Sequence, residues 1–145
     1  MNQEKSVQLY NDVLQNCRSG LSAVRLMMDK TDDVDLRNQL RGQEAKYMEI
    51  AQQVEQRMDE LGAKPEPMGV LNKAGMWAGV QMNTLKDHSS AHLADMMIQG
   101  SSMGITQLTR ARHQCPDAGE EALSAAQQLL SAEQGNIEAL KGFLK

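Results

Sequence analysis

Proline falls at three positions in this chain of 145 residues, Pro65, Pro67 and Pro116. Proline removes a helical hydrogen bond and clashes with the preceding turn, so its placement marks where long helices stop. The stretch Ala63-Lys64-Pro65-Glu66-Pro67-Met68-Gly69 is the clear breaker segment, and the rest of the punctuation is sparse. That pattern predicts an all-α chain of long helices: about Asn2 to Lys30, about Val34 to Leu61, about Ser90 to His113, and a fourth from about Pro116 to the C-terminus. Thr31-Asp32-Asp33 supplies a cap for the second helix, and Gly62 a C′ residue after it. Asp117 with Glu120 resembles a capping box for the fourth.

The apolar spacing agrees. Val7, Tyr10, Leu14, Cys17, Leu21, Val24 and Met28 recur at alternating steps of three and four on the first helix. Leu40, Glu44, Tyr47, Ala51, Val54 and Met58 do so on the second, and Ala94, Ile98, Ser101, Ile105 and Leu108 on the third. On the fourth the seam is Ala122, Ala126, Leu129, Glu133, Asn136 and Leu140. Such seams describe antiparallel helices packed at shallow angles, a four-helix bundle. Short joints make residues 1–62 one hairpin and 90–145 a second. Residues 63–89 are too long for a turn; Val70, Ala74, Trp77 and Ala78 lie on one side of an amphipathic piece there, which predicts a short crossover helix.

The hairpins resemble each other. Leu14 to Leu21 aligns with Ile98 to Ile105, placing Cys17 with Ser101 and Gly20 with Gly104, and Glu44-x-x-Tyr47 aligns with Glu133-x-x-Asn136. The spacing is 84 residues in the first case and 89 in the second, as expected of a duplicated hairpin. Glu44 and Glu133 then occupy seam positions where Leu or Val would be ordinary. A buried carboxylate costs several kcal/mol unless it is paired, protonated or metal-bound. Tyr47, Asn136, Cys17, Ser101, Gln15 and Gln99 are the hydrogen-bonding groups placed to compensate it. Two carboxylates facing one another in such a layer would share a proton, raising one pKa.

A carboxylate from one helix and Glu-x-x-His from the next, repeated in a second hairpin, is the di-iron plan of ferritin-like and rubrerythrin-like bundles. The chain resembles that superfamily, in particular its small bacterial members of unknown function. The likeness rests on Glu44-x-x-Tyr47, Glu133-x-x-Asn136, the Gly62-Ala63-Lys64-Pro65 exit and the Leu-Leu-Ser-Ala-Glu-Gln-Gly-Asn-Ile-Glu-Ala-Leu run from Leu129. It implies a ferritin-like four-helix bundle and, by family analogy, iron or another divalent metal at Glu44, Glu133, Cys17 and Tyr47. The chain departs from the plan: Cys17 and Ser101 stand where carboxylates belong, and Tyr47 and Asn136 replace the histidines. The expectation is therefore a non-catalytic bundle with a polar core layer and no cofactor, the alternative being a metal-binding or redox protein at Glu44 and Glu133.

Charge and composition narrow the partners. Asp and Glu number 19 against 15 Lys and Arg, a formal net charge of −4, so there is no basic stripe for nucleic acid. No apolar run approaches the ~20 residues of a bilayer span. Cys17 and Cys115 are too far apart in sequence for a zinc or disulfide pattern, which predicts a cytoplasmic protein with free thiols, Cys115 being the more accessible. His88, His92 and Asp95 have helical spacing but sit in a first turn, where surface decoration is the expectation. The eleven methionines read as core filler in a chain with four aromatics, Tyr10, Tyr47, Trp77 and Phe143. Gly75 and Gly79 beside Trp77 permit close helix approach, either of the crossover onto its own bundle or at an interface, and the expectation is a homodimer or an unidentified protein partner.

Overall fold

Helix ends carry unpaired amide groups, and each start in this chain has its own answer to them. A computed structural model describes residues 2–67 and 86–145 as four α-helices: α1 (Gln3–Lys30), α2 (Val34–Glu60), α3 (Ser90–Gln114) and α4 (Glu120–Lys141). Asn2 Oδ1 caps α1, Asp33 accepts from the amides of Asp35 and Leu36 to cap α2, and Ser89 Oγ accepts from His92 N to cap α3. At the end of α2, Gly62 turns to φ +69°, with Gly62 N–H to Asp59 O (3.0 Å) and Ala63 N–H to Met58 O (2.9 Å), a Schellman closure at the predicted glycine.

The fourth helix starts later than the sequence suggests. Residues 116–118 form a turn, and the cap is Gly119, which has no side chain to offer. Its N–H donates instead to Ser6 Oγ on α1 at 2.7 Å, while Asn2 N–H donates to Asp117 O at 2.8 Å. The Asp117–Glu120 capping box is thus replaced by tertiary bonds. Cys115, expected to be accessible, is fully buried beside this turn, and burial pushes its thiol pKa up.

These contacts fix the topology. The start of α1 meets the α3–α4 turn at one end of the bundle; at the other, Ser90 Oγ donates to Asp33 Oδ2 at 2.6 Å, joining the starts of α2 and α3. Hence α1 and α4 run one way and α2 and α3 the other, and the connection between α2 and α3 spans the length of the bundle, about 40 Å at 1.5 Å per residue. Its first residues run back along α1: Glu66 O accepts from Gln15 Nε2 (2.9 Å) and Arg18 Nη1 (3.1 Å), and Glu66 N–H donates to Asn11 Oδ1 (3.0 Å). The predicted crossover helix, with Trp77, Gly75 and Gly79, lies outside the described residues. Helices α1 and α4 each touch all three others, so they form the short diagonal of the bundle.

Burial reveals the repeat more sharply than residue identity does. Shifting α1 by 84 positions superposes its inner face on that of α3: Leu9, Val13, Cys17, Gly20, Val24 and Met27 correspond to Leu93, Met97, Ser101, Gly104, Leu108 and Ala111. For α2 and α4 the shift is 86, not 89: Leu36, Leu40, Gln43, Tyr47, Ile50 and Val54 correspond to Ala122, Ala126, Leu129, Glu133, Asn136 and Leu140, all of them buried or at the burial limit. The counterpart of Glu133 is therefore Tyr47, and Glu44 pairs with Leu130.

Glycine makes room for both members of that pair. A Cβ on Gly20 would stand 2.6 Å from Tyr47 Cζ, and one on Gly104 would stand 3.0 Å from Glu133 Oε2. Gly42 and Gly135, also helical, have nothing within 4 Å of such a Cβ. We expect Gly20→Ala to destabilise the fold by about 1–3 kcal/mol through overpacking. Gly42→Ala and Gly135→Ala should each stabilise it by roughly 0.5–1 kcal/mol through helix propensity. Urea denaturation of the three variants checks the contrast; a neutral or stabilised Gly20→Ala would mean that α1 does not press on Tyr47.

Candidate functional site

The polar layer lies midway along the bundle, where α2 and α4 pass each other. Tyr47 is 2% exposed and Glu133 5% exposed. The Tyr47 hydroxyl donates to Glu133 Oε1, which also accepts from Asn136 Nδ2 at 3.0 Å and from Ser101 Oγ at 3.3 Å. Asn136 Nδ2 further lies 3.3 Å from Tyr47 Oη. One oxygen of the carboxylate is thus held by donors from α2, α3 and α4.

Electrostatics follow from this packing. Burial raises the Glu133 pKa, and the hydrogen bonds from Tyr47, Asn136 and Ser101 offset part of that rise. Burial and the neighbouring Glu133 carboxylate push the Tyr47 phenol well above its ordinary value. Cys17 is fully buried, and desolvation with Glu133 nearby pushes its thiol up to about 12. A thiol so held is a poor source of the thiolate that metal binding or nucleophilic chemistry requires.

Of the residues singled out from the sequence, Tyr47, Glu133, Ser101 and Asn136 meet, and Cys17 lies within electrostatic reach of Glu133. Glu44 does not join them. Its side chain is 27% exposed and pairs with Arg25 Nε at 2.9 Å, a contact across the outside of the first hairpin. The physical reason is helix register: the inner face of α2 steps from Leu40 to Gln43 to Tyr47, so position 44 falls on the flank. No second glutamate faces Glu133; the Tyr47 phenol donates to it in the place expected for one. Asp95 Oδ2 accepts from Gln99 Nε2 at 3.0 Å, and His88 is exposed. Among the described residues no three His, Cys, Asp or Glu side chains gather as a metal site. The donor set, one carboxylate with a phenol, a hydroxyl and an amide on a single oxygen, does not fit a di-iron centre.

Two further features escaped the sequence reading. Gln43 is 2% exposed, and among the described residues neither its Oε1 nor its Nε2 has a hydrogen-bond partner. Its counterpart in the repeat is Leu129. An unpaired buried amide costs about 1–3 kcal/mol, so Gln43→Leu should stabilise the protein by about 1–2 kcal/mol in chemical denaturation. A loss of stability would instead indicate a buried water satisfying the amide. The second feature is a cavity of about 40 Å³ between α1 and α3, floored by Tyr47 and Glu133. Its walls include Asn16 and Gly20 of α1 and Met97 and Gly104 of α3.

No protein-family model matches the chain, and no curated protein matches it in sequence. Among described residues no helix is long and apolar enough to cross a membrane. In architecture the chain is similar to a crystal structure of a DUF305 fragment from Deinococcus radiodurans, at 17% identity and a TM-score of 0.76. The match covers 97% of this chain and 95% of that one, so the likeness is one of the whole all-helical, four-helix fold.

Proposed function

We propose that this chain is a non-catalytic bundle protein, ferritin-like in architecture, whose Tyr47–Glu133 pair is a joint fixing how the two hairpins dock. The observation that carries the reading is the convergence of Tyr47, Ser101 and Asn136 on the single oxygen Glu133 Oε1. Ser101 and Asn136 hold the carboxylate within its own hairpin, and the Tyr47 bond crosses to the other, so a slip of one hairpin against the other costs a buried carboxylate that donor. The long connection between the parallel helices α2 and α3 supports the ferritin-like comparison. A cytoplasmic setting and self-association through the segment around Trp77 belong to the same reading, supported by the sequence pattern alone.

The alternative, a metal-binding or redox protein using Glu44, Glu133, Cys17 and Tyr47, requires Glu44 to leave Arg25 and Cys17 to ionise. Elemental analysis of protein purified without chelator or affinity tag separates the two. We expect no stoichiometric metal in the wild type or in the Glu44→Gln, Glu133→Gln double variant. Stoichiometric metal in the wild type that disappears from the double variant would overturn the proposal.

A further inference from the structure

The joint uses one oxygen of Glu133. Among the described residues the other, Oε2, takes none of the joint's bonds; it lies beside Gly104 at the cavity between α1 and α3. Asn16 converges on the same place: its Nδ2 donates to Asp12 O at 2.9 Å, which turns Oδ1 toward Gly104. From the position a Gly104 Cβ would take, Glu133 Oε2 lies at 3.0 Å and Asn16 Oδ1 at 3.5 Å. Two acceptors thus border a space that the glycine leaves open, with Ser19 also in the cavity wall. The remaining wall is largely apolar, with Met27, Met96 and Met97. A cavity of about 40 Å³ exceeds the roughly 10–15 Å³ that one water requires.

We propose that this cavity binds a small alkylammonium ion, its N–H groups donating to Glu133 Oε2 and Asn16 Oδ1 and its alkyl part lying against the methionines. An N–H cation matches two acceptors and an apolar wall. A bare alkali or divalent cation does not, because such ions need a fuller shell of oxygens than these two. A neutral amine lacks the charge that compensates a desolvated carboxylate. The inference rests on the reading of Glu133 Oε1 as locked by its own donors, which leaves Oε2 to the cavity. The recognition chemistry is that of a protonated primary amine, with the ligand limited in length by the cavity.

The test is titration with methylammonium chloride at about pH 8, well below the ordinary ammonium pKa near ~10, against potassium chloride at equal ionic strength. Methyl NMR of the methionines is the readout. Methylammonium should shift the Met27, Met96 and Met97 signals saturably, and potassium should not. Glu133→Gln, which keeps a hydrogen-bonding side chain but not the charge, should abolish the saturable shift. Asn16→Ala and the cavity-filling Gly104→Ala should each weaken binding at least about tenfold, the scale of one lost charge-assisted bond. A shift that is linear in concentration, equal with potassium or undiminished in Glu133→Gln would overturn the proposal. Should binding be absent while Tyr47 and Glu133 remain energetically coupled, the cavity proposal falls and the joint stands. Loss of that coupling would remove the joint itself.

Discussion

Tyr47→Ala should be the most damaging single substitution in the chain, costing about 3–5 kcal/mol. Three losses coincide at this position. The ring is 2% exposed, so its removal empties a large volume in the middle of the core. It presses on Gly20, whose absent side chain means that α1 has nothing with which to fill the gap. Its hydroxyl is a donor to the buried Glu133, and removing it leaves that carboxylate short of one bond. Tyr47→Phe isolates the last effect and should cost about 1.5–3 kcal/mol, the usual range for a bond to a charged group. Denaturant midpoints with unchanged slopes would give both numbers. A Phe variant as damaged as the Ala variant would place the energy in the hydrogen bond rather than the ring.

Glu133→Gln should stabilise the protein at neutral pH and lose that advantage in acid. Glu133 is held with a raised pKa, chiefly by burial. A carboxyl raised in the folded state contributes stability that is complete below its unfolded value, near ~4.3, and that drains away as pH rises through the folded value. The amide stays uncharged at every pH, and its oxygen accepts from the same donors. The stability difference between variant and wild type should therefore be near zero at low pH and grow with rising pH. At neutral pH it should reach on the order of 1–2 kcal/mol, as when a buried charge gives way to an uncharged hydrogen-bonding isostere. Urea midpoints across the pH range read the curve directly. A difference that shrinks as pH rises would mean that hydrogen bonding outweighs burial and that Glu133 is depressed instead.

Much of this architecture was legible in the chain itself. The confinement of proline to Pro65, Pro67 and Pro116 leaves room for helices and little else, and the seam of α4 matches the buried set from Ala122 to Leu140. On the other helices the register drifted for an identifiable reason. Gly20 and Gly104 lie on the inner faces but contribute no hydrophobicity, so the periodicity slid toward neighbouring aliphatic residues such as Leu21 and Ile105, which are only partly buried. Gln43 did the same on α2: a polar residue in the core is invisible to apolar spacing, and Glu44 took its place in the pattern. Pairing Glu44 rather than Tyr47 with Glu133, one helical turn away, carried the repeat from a shift of 86 to one of 89. Correct register replaces two opposed carboxylates by a phenol and a carboxylate, a combination that can be satisfied by its own hydrogen bond. Cys115 and the start of α4 were missed for another reason, since the bond from Gly119 N–H to Ser6 Oγ joins residues 113 positions apart. Local signals do not encode such a contact.

Tyr47 and Glu133 act as one unit, and a double-mutant cycle measures that unit most directly. Tyr47→Phe, Glu133→Gln and the double variant should give folding free energies at neutral pH that depart from additivity by about 1–3 kcal/mol, as expected for residues sharing a buried network. The coupling should fall with acidification as Glu133 becomes protonated in the wild type. Additive effects at neutral pH, within about 0.5 kcal/mol, would contradict the account, because the two side chains would then stabilise the bundle separately and neither would fix the docking of the hairpins.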